Sequence, residues 1–150
     1  MNISLTIVVI LILSPIFFGL YKTWQTQNSP NQKLFLSGKI SNPKPDGPYK
    51  GSVNFKTSWQ GKKFDASSSS GINLIDGKES YPFKTYTGKG LQDKNLDVFK
   101  IDYNIVQNPF WLRFILDEIV EVSPDKFLGK VHLKLIPALP FSVGYFRLEK

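Results

Sequence analysis

Leu116-Asp-Glu-Ile-Val-Glu-Val-Ser-Pro-Asp-Lys-Phe-Leu-Gly-Lys-Val-His-Leu-Lys-Leu-Ile136 reads as two β-arms joined at Ser123-Pro124-Asp125-Lys126. In the second arm Phe127, Val131, Leu133 and Leu135 fall on one face, and Lys130, His132 and Lys134 on the other. A period of two marks a strand with one face in a core and one in water. The hairpin is therefore expected to point its aliphatic and aromatic positions inward and its lysines and histidine outward.

The same pattern recurs on both sides of the hairpin. Downstream, Pro137 and Pro140 interrupt the ladder, and Phe141 to Leu148 makes a last strand. Upstream, Phe99, Ile101, Tyr103 and Ile105 alternate with Lys100, Asp102 and Asn104, and Tyr81, Phe83, Thr85 and Thr87 form a similar arm. Gly71 to Ile75 ends at Asp76-Gly77, a dipeptide that hairpin turns prefer. Val53, Phe55, Thr57 and Trp59 alternate with Asn54, Lys56 and Ser58, and Gln60-Gly61-Lys62-Lys63 gives a turn or bulge before Phe64. Leu34 to Leu36 reads as a brief strand, and Ser41 to Pro48, with three prolines, as a loop outside any ladder. Asn108-Pro109 reads as an N-cap and first position of a short helix, Phe110 to Leu116, whose apolar residues plug the fold. Seven to ten short strands at this spacing predict an all-β, antiparallel barrel or sandwich with one short helix.

The N-terminus stands apart. No charged residue occurs from Ile3 to Tyr21, close to the roughly 20 apolar residues a bilayer-spanning helix needs. Tyr21 and Trp24 lie where an interfacial aromatic belt belongs. A cleaved signal peptide would want a basic start and small residues before its cleavage site, and neither is present. Residues 1–22 are thus read as a transmembrane anchor or uncleaved signal, 23–33 as a polar tether, and 34–150 as the barrel domain. Lys22 and Lys33 follow the apolar run, which favours a cytoplasmic barrel by the positive-inside rule, although few charges carry that bias and the opposite orientation stays open.

The formal charge is +7, and it is unevenly spread. Lys22 to Lys63 holds eight lysines and one acidic residue, Asp46, whereas the rest is balanced. Each lysine near an anionic lipid surface contributes about 1 kcal/mol of attraction. An anionic membrane surface is the expected partner. With only two arginines, and no aromatics interleaved with this basic run, nucleic acid is not expected. No cysteine occurs, and His132 alone cannot make a zinc site, so no cofactor or metal is expected. Ser67 to Ser70 lack the surroundings of a nucleophile and read as a polar loop or strand.

Thr57-Ser-Trp-Gln-Gly-Lys-Lys-Phe64 resembles the Trp-x-Gly-Lys-x-Phe part of Gly-x-Trp-x-Gly-type, lipocalin-like domains, with Thr57 where the family's first glycine would stand. Asp117 to Lys130, with its aspartate-bearing turn before Leu128-Gly129, is similar to the later hairpin of such domains. The resemblance implies a calycin-like barrel and binding of an apolar small molecule.

The expected function is a membrane-anchored binding or carrier protein for a hydrophobic molecule of the fatty acid or isoprenoid type. The site would be built from Phe55, Thr57, Trp59, Phe64, Phe83, Phe99, Tyr103, Phe127, Val131 and Leu133. Two alternatives stand beside it. One is a scaffold or assembly factor with a solid core. The other is an enzyme on an apolar substrate with Asp117 or Glu118 as base, which needs one of these carboxylates to face the interior.

Overall fold

Alternating strands separated by short turns can satisfy every backbone group without an edge by closing on themselves. This chain does so. In the computed structural model, which describes residues 3–150 and side chains from residue 7, eight antiparallel strands close into a barrel in sequence order. They are β1 (Gly47–Ser52), β2 (Trp59–Asp65), β3 (Ser70–Ile75), β4 (Lys78–Lys89), β5 (Asp97–Asp102), β6 (Ile115–Ser123), β7 (Lys126–Ile136) and β8 (Leu139–Glu149). A lipocalin-like barrel in the general sense has this architecture. Two helices precede it, α1 (Ile3–Gln27) and α2 (Pro30–Ser37), and a 3-10 turn, Phe110–Phe114, lies between β5 and β6.

The barrel has two distinct ends. Loop 53–58, the Asp76-Gly77 turn, loop 103–114 and the Pro137-Ala138 turn lie at one end, here called the mouth. Loops 66–69 and 90–96 and the Pro124-Asp125 turn lie at the base. The lower interior is filled by Tyr49, Phe64, Phe83, Phe99 and Phe127, packed edge to face with centroids 5.5 to 6.4 Å apart. A second apolar layer, Phe35 with Val98, Val120 and Leu128, seals α2 to the outside of β5, β6 and β7.

Several sequence expectations are corrected. Residues 23–33 are not a tether: α1 continues as one helix to Gln27 and α2 begins at Pro30, taking in the Leu34–Leu36 segment expected as a strand. Val53 to Ser58 alternate but form a loop, because β1 begins earlier, at Gly47-Pro48 within the proline-rich segment. Asn108 is not an N-cap; its amide donates to the carbonyls of Pro82 and Tyr103 and pins the loop beneath the 3-10 turn. Of that turn Leu112 is buried, while Phe110 and Trp111 face outward.

The largest correction concerns the hairpin. Phe127 and Val131 do face the interior, but Leu135 is exposed, and Lys130 and His132 on the supposedly wet face are completely buried. α2 lies over this outer face, and the C-terminal half of α1 lies over the neighbouring β8. Gly19 packs on the Phe141 ring, Thr23 Oγ1 accepts from the Ser142 N–H at 3.0 Å, and Thr26 Oγ1 donates to the Ser142 carbonyl at 3.2 Å.

Candidate functional site

Bulge geometry sets the upper interior. The β2–β3 register shifts between Trp59 and Gly61, so Trp59, Lys62 and Phe64 all turn inward despite odd spacing. Gly61, at φ +140°, lets the β1 backbone pass where any Cβ would lie 2.0 Å from the Tyr49 carbonyl oxygen. Gly129 leaves room for the Phe146 ring, which would overlap a Cβ there and packs edge to face on Trp59 at 5.5 Å. The two segments that carry the lipocalin-like resemblance therefore meet through Phe146.

Above the aromatic plug the barrel is hollow. A cleft of about 370 Å³ opens at the mouth, walled by Val53, Phe55, Thr57, Trp59, Ile115, Val131 and Phe146. It is also open at the side. β1 pairs with β8 only from Lys50↔Glu149 to Ser52↔Arg147, so β8 from Val143 to Phe146 has no strand beyond it on that side. There the cleft joins a groove of about 690 Å³ between α1 and β8, lined by Lys22, Thr26, Asn54 and Arg147.

The cleft has a polar floor. Lys62 Nζ forms a buried ion pair with Asp117 Oδ2 at 3.1 Å, donates to Asn73 Oδ1 at 2.9 Å, and meets the Tyr103 hydroxyl. Tyr103 donates to Asp117 at 3.2 Å, and Trp59 Nε1 donates to Asn73 at 3.1 Å. The ammonium also lies 5.0 to 5.4 Å from the ring centres of Trp59, Phe83, Tyr103 and Phe146. Burial pushes the Lys62 pKa down, and Asp117 offsets only part of that shift. Burial, reinforced by the Asp117 charge, raises Tyr103 well above its ordinary range, so it stays a neutral donor.

Phe55, Thr57, Trp59, Tyr103 and Val131, expected from sequence as site residues, come together around this cleft. Phe64, Phe83, Phe99 and Phe127 instead fill the solid half below it, and Leu133 is half-buried outside the lining. Lys62 and Asn73 escaped sequence reading. The bulge hides Lys62 from a period-two count, although its place in the Trp-x-Gly-Lys segment was a signal.

Asp117 and its neighbour Glu118 part company across the barrel wall. Asp117 faces the cleft; Glu118 lies outside, beneath the helices and loop 90–96. Its Oε2 is 2.9 Å from His132 Nε2, and His132 Nδ1 is 3.1 Å from Ser142 Oγ. Serine, histidine and glutamate in contact invite comparison with a hydrolytic triad. In a triad, however, serine meets Nε2 and the acid meets Nδ1. Here the ring is reversed and all three residues have no exposed surface, so no substrate reaches the hydroxyl. Lys130 joins the same layer, bonded to Asp93 and to Gln32 of α2 at 2.8 Å each.

The basic segment is likewise redistributed. Lys62 is inside the barrel, Lys39 and Lys44 lie toward the base, and Lys22 and Lys56 are near the mouth. α1 contains the one helix among the described residues long and apolar enough to cross a membrane, and almost none of that stretch is buried in the protein. No family profile, curated protein or solved structure matches this chain.

Proposed function

We propose that this chain is a single-pass membrane protein whose barrel binds one small apolar molecule, of isoprenoid or fatty-acyl type, in the mouth cleft. The observation that carries the reading is a cleft with apolar walls and a few convergent polar groups at its floor, the usual make-up of small-molecule sites. Its size limits the cargo. At ~30 Å³ per water-sized group, a volume of about 370 Å³ takes roughly a dozen such groups. That suits a short chain or a ten-carbon prenyl unit.

The floor also discriminates between head groups. Lys62 and Asp117 balance one another, so a bound anion would meet no net positive charge. Tyr103, Asn73 and the ion pair offer donors and acceptors to a neutral hydroxyl or carbonyl. An isoprenoid alcohol therefore fits the floor better than an ionised fatty acid. A catalytic reading starts from the same place, with Asp117 beside the cleft, but its Oδ2 is engaged by both Lys62 and Tyr103.

Gly144 lines the cleft with open space where a Cβ would go, so Gly144→Phe fills the site without a clash at the Cβ. Native mass spectrometry of the full chain from nanodiscs containing a ten-carbon prenol is expected to show one prenol per wild-type chain and none on Gly144→Phe. Equal occupancy of both, or none on either, contradicts the reading.

A further inference from the structure

The barrel carries nearly all of its exposed apolar side chains at one end. Outside α1, every exposed large hydrophobic among the described residues except Leu36 and Tyr86 lies at the mouth. Val106, Phe110 and Phe55 are 79, 73 and 67% exposed, and Trp111, Leu135 and Leu139 are exposed beside them. They come from three separate places, loops 53–58 and 103–114 and the strand ends that flank the β7–β8 turn, which have nothing in common except the end they share. The base loops are Ala-Ser-Ser-Ser, Gly-Leu-Gln-Asp-Lys-Asn-Leu and Pro-Asp, and contribute no exposed large hydrophobic.

The apolar helix leaves from the same end. Going up in residue number, α1 touches β8 in step: Gly19 at Phe141, Thr23 at Ser142, and the Thr26 carbonyl accepting from the Tyr145 hydroxyl at 3.4 Å. Helix and strand therefore run in the same direction, and residues before Gly19 continue past the start of β8, beyond the mouth. Ile3 to Tyr21 is 19 residues of helix, about 28 Å at 1.5 Å per residue. This nearly matches a hydrocarbon core of ~30 Å. If that segment fills the core, the lipid surface falls beside Tyr21 and Trp24, at the level of Phe141 and the β7–β8 turn. No linker intervenes, since α1 is unbroken to Gln27 and bonded to β8. Lys22, Lys56, Lys78, Arg113 and Lys134 surround this end, as interfacial residues do, against the acidic Asp76 and Glu79.

We propose that the rim of Phe55, Val106, Phe110, Trp111, Leu135 and Leu139 inserts into the interfacial layer of the bilayer that α1 spans. The cleft then opens directly onto lipid, and the barrel does not project into water on a stalk. The proposal rests on α1 being a membrane anchor and holds whether or not the cleft takes a ligand.

The chain has no cysteine, so single-cysteine variants can be labelled without background. Phe110→Cys and Leu135→Cys report the rim, Ile10→Cys the centre of α1, and Ser68→Cys the base. Each full-length variant carries an environment-sensitive nitrobenzoxadiazole label in phosphatidylcholine vesicles, with and without brominated acyl chains. The expected result is strong bromine quenching at 10, 110 and 135 with little access to aqueous iodide, and the reverse at 68. Quenching at 10 but free iodide access at 110 and 135 overturns the rim proposal and leaves the anchor standing. Shielding of 110 and 135 from both quenchers means that a second copy or another protein covers the rim, and also overturns it. Absence of bromine quenching at 10 removes the anchor and the rim together.

Discussion

Two buried ionic clusters lie back to back across the wall formed by β6 and β7, one on each side. Inside are Lys62, Asp117, Asn73 and Tyr103; outside are Glu118, His132, Ser142, Lys130, Asp93 and Gln32. Both are dense in hydrogen bonds, and both place charge where water is scarce. The difference is what adjoins them. The inner cluster floors a cleft; the outer one is closed over by α1, α2 and loop 90–96. A buried ion pair contributes little net stability when complete, but breaking one leaves an uncompensated charge. The outer cluster therefore acts as a latch that fixes the helices to the barrel. The inner one has polar atoms that an occupant of the cleft can reach.

This contrast predicts unequal costs for removing one carboxylate from each side. Glu118→Ala strands His132, which has no exposed surface, together with Lys100 and the Leu91 N–H. Urea unfolding of the full chain in detergent should show a loss of about 3–5 kcal/mol. Asp117→Ala strands Lys62 beside a cleft that water can enter, so the loss should be nearer ~1–3 kcal/mol. Equal losses would mean that the cleft does not hydrate its floor. Gly129→Ala, which forces Phe146 off its seat, should cost about 1–3 kcal/mol by overpacking. It should also weaken prenol binding, because Phe146 walls the cleft.

Acid separates the clusters as well. Burial works to raise the Glu118 pKa, but bonds from His132 and the Leu91 N–H and the charge of Lys100 bring it below its ordinary value. Its stabilising contribution is thus complete above the ordinary glutamate pKa of about 4.3 and fades as pH falls through the lower, folded-state value. Glu118→Gln should remove that part of the acid slope. Lys62 has the same sign in a different window: with its folded pKa lowered, the protein gains stability as pH rises from that value toward the ordinary lysine value of about 10.4. The smallest effect belongs to the rim, where Phe110→Ser or Trp111→Ser should change unfolding free energy by no more than about 0.5 kcal/mol. The same variants should weaken the insertion of the mouth.

The sequence made the inner face of the barrel legible and the outer face illegible. Period two identified β4, β5 and β7 because alternate residues such as Phe83, Phe99 and Phe127 pack in the aromatic interior. It failed at Lys130 and His132 because polarity signals water only when nothing else can satisfy the group. Here Gln32, Asp93, Glu118 and Ser142 do so. The helix that supplies this cover was hidden for the same reason. Thr23, Thr26 and Gln32 make its contacts through hydroxyls and an amide, so the segment reads as a polar tether. Loop 53–58 alternates by coincidence with no partner strand. Of the site, the aromatic wall was visible, but Lys62 was masked by the bulge at Gly61, and the inward turn of Asp117 could be posed only as a condition.

The central claim is that an apolar molecule enters the cleft and rests on the inner cluster. Photolabelling tests it most directly, using a ten-carbon prenol bearing a diazirine with the full chain in nanodiscs, followed by mapping of the adducts. Labels on Trp59, Val131 or the Tyr145-Phe146 pair, lost in Gly144→Phe, are the predicted result. Labels confined to Ile3–Tyr21 and the rim, unchanged by Gly144→Phe, would contradict it.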